Sequence, residues 1–212
     1  MPIPWIRIQS ALLAAVMTTA LAVHLLLRRP SRRIYQDYAV VALNLALWFL
    51  ADAIHALFGF GTAALDVLRL LIACAIPVTV TRFLRTFLED DTPAGRRLER
   101  TLLISAVALG GGSVVTRLWV DVPFMLAVGL MMGHTFGGTL ASFQLIARRL
   151  KTTESASERG RLQSLLVAGL IAVCLTLLDY LPGVGYFFFG NIFVTLFLYF
   201  LYCSGRAHVT GS

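Results

Sequence analysis

Seven apolar runs, each long enough to cross a bilayer and separated by short polar turns, occupy almost all of this chain. They lie at approximately 8–27, 38–58, 64–84, 101–119, 123–147, 163–181 and 184–203. A hydrocarbon layer about 30 Å thick is crossed by roughly 20 mostly apolar residues in an α-helix. The expected fold is therefore an all-α integral membrane protein, a seven-transmembrane helix bundle over residues 1–204 with a short tail at 205–212. Composition agrees, with 58% apolar and 14% charged residues, against roughly 45–50% and about 25% in soluble domains. The first run ends in "LLLRRP" rather than at a small-residue cleavage site, so it is read as a retained helix and not a secretory signal.

The basic residues set the orientation. Short cytoplasmic loops collect Lys and Arg, and all but four of the 18 here fall in the first, third and fifth connections or the tail. The four are Arg7, Arg69 and Arg117 on the other side, and Arg82 near the inner end of the third run. This places the N-terminus outside and the C-terminus in the cytoplasm. It also explains the net charge of +7 as contact with anionic lipid headgroups, so no nucleic-acid partner is expected. The outer turns "GFGTAA", "WVDVP" and "LPGVG" hold no sensing domain, and an external ligand would have to bind among the helices. The polar segment "KTTESASERG" reads as a mobile linker.

Polar side chains inside the runs carry the remaining information. Asn44, Trp48, Asp52 and His55 follow one another at i, i+4, i+8 and i+11, which places them within an arc of about 80° on one helix face. Asn191, Thr195, Tyr199 and Tyr202 repeat that spacing in the last run. Polar stripes in lipid face a bundle interior or a wet cavity, so the second and seventh helices are expected to line a common interior. Asp52, His55, Arg69, Asp179 and Asn191 all fall toward the outer ends of their helices. An unpaired buried carboxylate is costly, so Asp52 or Asp179 should pair with Arg69 or His55. Two readings follow: an outward ligand pocket made of Trp48, Asp52, His55, Arg69, Asp179 and Asn191, or a set of fasteners between helices. Loss of a response in Asp52→Ala or His55→Ala with folding intact would favour the pocket, and loss of folded protein the fasteners.

Small residues at Gly133, Gly137 and Gly138, beside Thr135, Thr139 and Ser142, read as a packing surface. Pro77 should kink the third helix, with Thr79 and Thr81 at hand for freed backbone groups. Several chemistries are excluded. The only lysine, Lys151, lies in a cytoplasmic connection, so a retinal Schiff base has no anchor. His24, His55, His134 and His208 sit at different depths, so no metal site is expected. A Ser113–His134 pair is a weak hydrolase signal, and Cys74, Cys174 and Cys203 are too scattered for a disulfide framework. No enzyme activity and no cofactor is expected.

The pattern as a whole resembles the N-terminal seven-transmembrane sensory region of bacterial sensor histidine kinases. "NLALWFLADAI" resembles its second helix, a Trp followed by an acidic position occupied here by Asp52. "AIPVTVTRFLRTFL" is similar to its third helix, and "LPGVGYFFFGNIFVTLFLYFLY" to its last. The resemblance implies a bacterial cytoplasmic (inner) membrane location, multi-pass, a homodimer, and a cytoplasmic kinase or regulator as partner. Kinase activity is not implied, because the chain stops at "CSGRAHVTGS" without the family's phosphoacceptor context around His208 or an ATP-binding segment. The expectation is a sensory module for a small or lipid-like ligand that signals through the last helix. A small transporter or channel is the alternative, and a structural membrane subunit a further one.

Overall fold

The computed structural model describes residues 3–28, 32–58, 63–119, 124–179 and 189–210. Within them the chain is helical and forms no strand: α1 (Ile3–Arg28), α2 (Arg33–Phe58), α3 (Ala63–Leu88), α4 (Pro93–Trp119), α5 (Phe124–Thr152), α6 (Ala156–Leu178) and α7 (Phe189–Thr210). The outer turns and the start of the "LPGVGYFFFGN" segment fall wholly or largely outside the described residues. Five helices, α1, α2, α3, α4 and α6, are long and apolar enough to cross a membrane, and α7 adds a shorter apolar stretch, Gly190–Cys203. The chain is thus a multi-pass membrane protein by length and apolarity. Its exterior carries large apolar side chains such as Leu27, Phe58 and Val107, while Thr18, Asp37, Asp52, Thr81, Ser142 and Thr195 are buried. Large apolar side chains thus cover the exterior as well as fill the core, unlike a water-soluble domain.

The helices extend beyond the apolar runs at the basic ends, and the local chemistry explains where they stop. At the end of α3, Asp90 N–H donates to Arg85 O at 2.9 Å and Glu89 N–H to Thr86 O at 3.4 Å. This is the paired closure of a Schellman cap, with Glu89 at φ +53° in the left-handed position usually given to glycine. Thr92 then caps α4, its Oγ1 accepting from Gly95 N–H at 3.2 Å, and Pro93 takes the first helical position, where a missing N–H costs nothing. The segment read as a mobile linker is instead mostly helical. α5 runs to Thr152, α6 starts at Ala156, and only residues 153–155 connect them. Ser155 caps α6 by accepting from Glu158 N–H, and Glu158 reaches back to Arg149 at 3.3 Å.

Six helices close a ring in the order α1, α2, α3, α5, α6, α7, while α4 packs outside against α3 and α5. The α1–α2 contact is the most extensive. On α1, Ala11, Ala15, Thr18 and Ala22 are buried, and on α2 so are Ala39, Ala42, Ala46 and Ala53. Small side chains at helical spacing let two backbones approach closely where no hydrophobic effect drives helices together.

The contact between α3 and α5 is built around Pro77. A proline in a helix has no N–H to give the carbonyl four residues earlier, here Ala73. Thr135 Oγ1 of α5 donates to Ala73 O at 3.1 Å, and His134 Nε2 lies 3.1 Å from the next carbonyl, Cys74 O. The carbonyl freed by Pro77 is therefore satisfied from α5. Thr79 and Thr81, expected in that role, bond Ile76 O and Pro77 O instead, and Thr81 Oγ1 also meets Ser142 Oγ at 2.5 Å. Gly138 makes the approach possible, since a Cβ there would lie 2.7 Å from Pro77 Cβ. Gly133 and Gly137, expected on the same packing surface, face open space.

Candidate functional site

The ring encloses a cavity of about 340 Å³. Each of its six helices contributes to the wall, and no described residue of α4 does. The lining is ordered along the bundle axis. Arg7, Asp52, Asp66, Arg69, Asp179 and Asn191 line one end, where α1, α3 and α7 begin and α2 and α6 finish. Toward the other end the wall is apolar: Val41, Leu45, Phe83, Leu84, Phe143, Leu198 and Leu201. From Asp52 to Val41 on α2, and from Gly190 to Leu201 on α7, the wall runs for about 16 Å at 1.5 Å per residue.

Asp52 is the hub of the polar end. Its Oδ1 accepts from Arg7 Nη2 at 2.5 Å and from Arg69 Nη2 at 3.0 Å, and its Oδ2 accepts from Arg7 Nε at 3.1 Å. Arg7 therefore holds the carboxylate in a two-pronged fork, the strong form of the pair, while Arg69 approaches end-on. The Arg69 guanidinium also lies 5.7 Å from the centre of the Trp48 ring, within cation–π range. Trp48 and Asp52, one helical turn apart, thus grip the same cation.

The remaining expected residues fall into two groups. Asp179 and Asn191 line the cavity and tie α7 to its neighbours. Asp179 Oδ2 accepts from Gly190 N–H at 2.7 Å, an anion on an unpaired donor at the start of a helix. A side chain at position 190 would collide with Asp179 and Thr176, so glycine allows that contact. Asn191 Nδ2 donates to Ser10 Oγ at 3.2 Å. His55, in contrast, does not line the cavity; its Nδ1 lies 3.9 Å from Asp66 Oδ1. The expected Asp52–Arg69 pairing is present.

Arg7 is the site residue that sequence reasoning missed. It had registered only as an outer charge, although its position on α1 makes it a reachable cation at the depth of Asp52. The polar stripe on α7 is also rotated from expectation. Tyr199 faces outward, 52% exposed, and α7 meets the cavity with Asn191, Val194, Phe197, Leu198 and Leu201. Tyr202 turns to His24 of α1, with Oη 3.3 Å from its Nε2. The link from α2 to α7 is Tyr38 Oη, which donates to Leu198 O at 2.5 Å.

The Ser113–His134 pairing is replaced by another. His134 Nδ1 lies 3.1 Å from Ser105 Oγ, and Ser113 Oγ donates to Leu109 O. None of these three residues lines the cavity, and the pair belongs to the α3–α4–α5 contact. No protein-family model, curated protein or solved structure matches this chain.

Proposed function

We propose that this chain is a seven-span sensory module of a bacterial inner membrane, with its N-terminus outside and its C-terminus in the cytoplasm. It takes a small or lipid-like ligand between the outer halves of its helices and passes the change through α7 to a cytoplasmic kinase or regulator. No step of catalysis and no cofactor is part of this reading. The observation that carries it is the cavity, polar at the end where the Arg7–Asp52–Arg69 cluster stands and mostly apolar beyond it. A concave, mostly apolar space with a few convergent polar groups is the usual form of a small-molecule site.

Signalling requires a ligand that prefers one arrangement of the helices over another. The contacts at the polar end join α1, α2 and α3, and α7 is joined to them by the Asn191–Ser10 hydrogen bond. A ligand that moves the cluster therefore has a direct route to α7.

The test uses the full chain in nanodiscs, with Cys74 and Cys174 changed to Ser. Spin labels are placed on Cys203 of α7 and on an Arg96→Cys variant of α4. A lipid extract of the source membrane should change the distance between the labels. Filling the cavity with Ala172→Phe should abolish that change. Uptake of labelled solutes into proteoliposomes with no distance change would support a transporter instead. No change and no uptake would overturn the sensory reading.

A further inference from the structure

Two hairpins turn at the same end of the bundle, α3 into α4 and α5 into α6, and their charges are balanced differently. Around the α3–α4 connection Arg85, Arg96, Arg97 and Arg100 are matched by Glu89, Asp90, Asp91 and Glu99, and Arg85 pairs with Glu99 and Asp91. Around the α5–α6 connection Arg148, Arg149, Lys151, Arg159 and Arg161 have only Glu154 and Glu158. Arg149 takes Glu158. The other four cations meet no carboxylate among the described residues. Nor does α7 bring one, since Phe189–Thr210 contains no acidic residue.

One of the four, Arg161, stands in a seam. It precedes Asp179 by five whole turns at about 3.6 residues per turn, so the two share one line of α6. Asp179 bonds Gly190 N–H at the start of α7. That line therefore runs beside α7, and Arg161 stands at the other end of it. Arg161 is half-buried, and its Nε is shut from water with no hydrogen-bond partner among the described residues. A buried donor without an acceptor is costly, and a guanidinium is shaped to hold a carboxylate or a phosphate in two prongs. The acceptor this seam lacks is an anion.

Farther along the two helices the outward surface is apolar. Val167, Leu170 and Ile171 of α6 and Leu196 and Phe200 of α7 are exposed. From Arg161 to Ile171 is about 15 Å of helix, half of a hydrocarbon core about 30 Å thick. A cationic end followed by one leaflet's depth of exposed apolar surface complements a molecule with an anionic head and acyl chains.

We propose that an acidic phospholipid is a bound component of the α6–α7 seam. Its phosphate is held by Arg161 within the positive field of Arg148, Lys151 and Arg159, and its acyl chains lie against Val167, Ile171 and Phe200. The lipid braces the end of α7 that lies opposite the Asp179–Gly190 contact. This site is separate from the cavity and does not depend on what the cavity holds.

The test uses the full chain in nanodiscs of equal parts phosphatidylcholine and phosphatidylglycerol, with the lipid that stays on the protein counted by native mass spectrometry. Phosphatidylglycerol should be retained over phosphatidylcholine by about tenfold, and Arg161→Gln should remove most of that preference, as the loss of one charge-assisted pair. Arg97→Gln removes the same charge from the balanced hairpin and should change the preference by less than about twofold. Equal losses in the two variants would overturn the site and leave a diffuse basic surface. Equal retention of the two lipids, or no effect of Arg161→Gln, would also overturn it and would point to an acidic protein face as the missing anion. Should Arg161→Gln fail to fold, the exposed pair Arg148→Gln with Lys151→Gln replaces it, with an expected loss of about threefold; no loss there would overturn the proposal.

Discussion

Two aspartates on α2, four turns apart, are each set between two arginines. At one end Asp37 meets Arg82 Nε at 2.9 Å and Arg33 Nε at 3.8 Å, with Thr86 Oγ1 donating at 2.7 Å. At the other end Asp52 meets Arg7 and Arg69. The carboxylates are alike in burial, and the arginines are not. Arg33 and Arg82 have side chains 75% and 54% exposed, whereas those of Arg7 and Arg69 are 34% and 17% exposed and line the cavity. The Asp37 cluster fastens α2 to α3, and its cations are solvated whether or not the acid is present. The Asp52 cluster holds cations more shut away from water, Arg69 above all. The same triad is solvated at one end of α2 and borders the cavity at the other.

The largest expected effect falls on that difference. Asp52→Ala leaves two largely buried guanidiniums without their acid and should cost about 3 kcal/mol, read as a shifted midpoint in equilibrium unfolding by a denaturing detergent. Since both the pocket and the fastener readings include this loss, the alanine variant does not separate them. Asp37→Ala should cost about 1.5 kcal/mol in the same assay, because water and headgroups take over its arginines. Equal losses at the two positions would erase the distinction between the clusters.

A third change tests the helix that carries one arginine of each cluster. Pro77 lies between Arg69 and Arg82, and Thr135→Val removes the donor that serves the carbonyl freed by the proline. The expected cost is about 1 kcal/mol, with the two arginine clusters intact in hydrogen exchange of α2. The smallest effect is expected for Arg33→Ala. An exposed pair of this kind contributes less than about 0.5 kcal/mol, and what it contributes should vanish in high salt.

All seven helices were legible from apolar run length alone, because that quantity is local. The face of α2 was legible too, since Asn44, Trp48 and Asp52 are one helical turn apart. What escaped were facts about which helix stands next to which. Arg7 was counted as a loop charge because no periodicity connects α1 to Asp52. Asp37 lies just before the apolar run at 38–58, and only the structure shows the helix running back past it to Arg33. Tyr199 was assigned to the interior by spacing, yet a tyrosine is stable facing outward at an interface, and hydropathy alone does not rank it against Leu198. Thr135 looked like a small packing residue, and only the adjacency of α3 and α5 reveals the carbonyl it serves.

That adjacency has a consequence for the direction of the helices. Consecutive helices joined by short turns run antiparallel, so a ring of six consecutive helices would alternate at every contact. With α4 left outside, α3 stands beside α5, and α7 closes onto α1. Both are pairs that point the same way. Their peptide dipoles lie side by side in parallel, an arrangement that repels where little solvent screens it. Both junctions carry side-chain hydrogen bonds across them: His134, Thr135 and Ser142 onto α3, and Asn191 and Tyr202 onto α1. Side-chain hydrogen bonds thus tie both seams where the up-and-down order of the bundle is broken, as they also tie antiparallel neighbours such as α2 and α3.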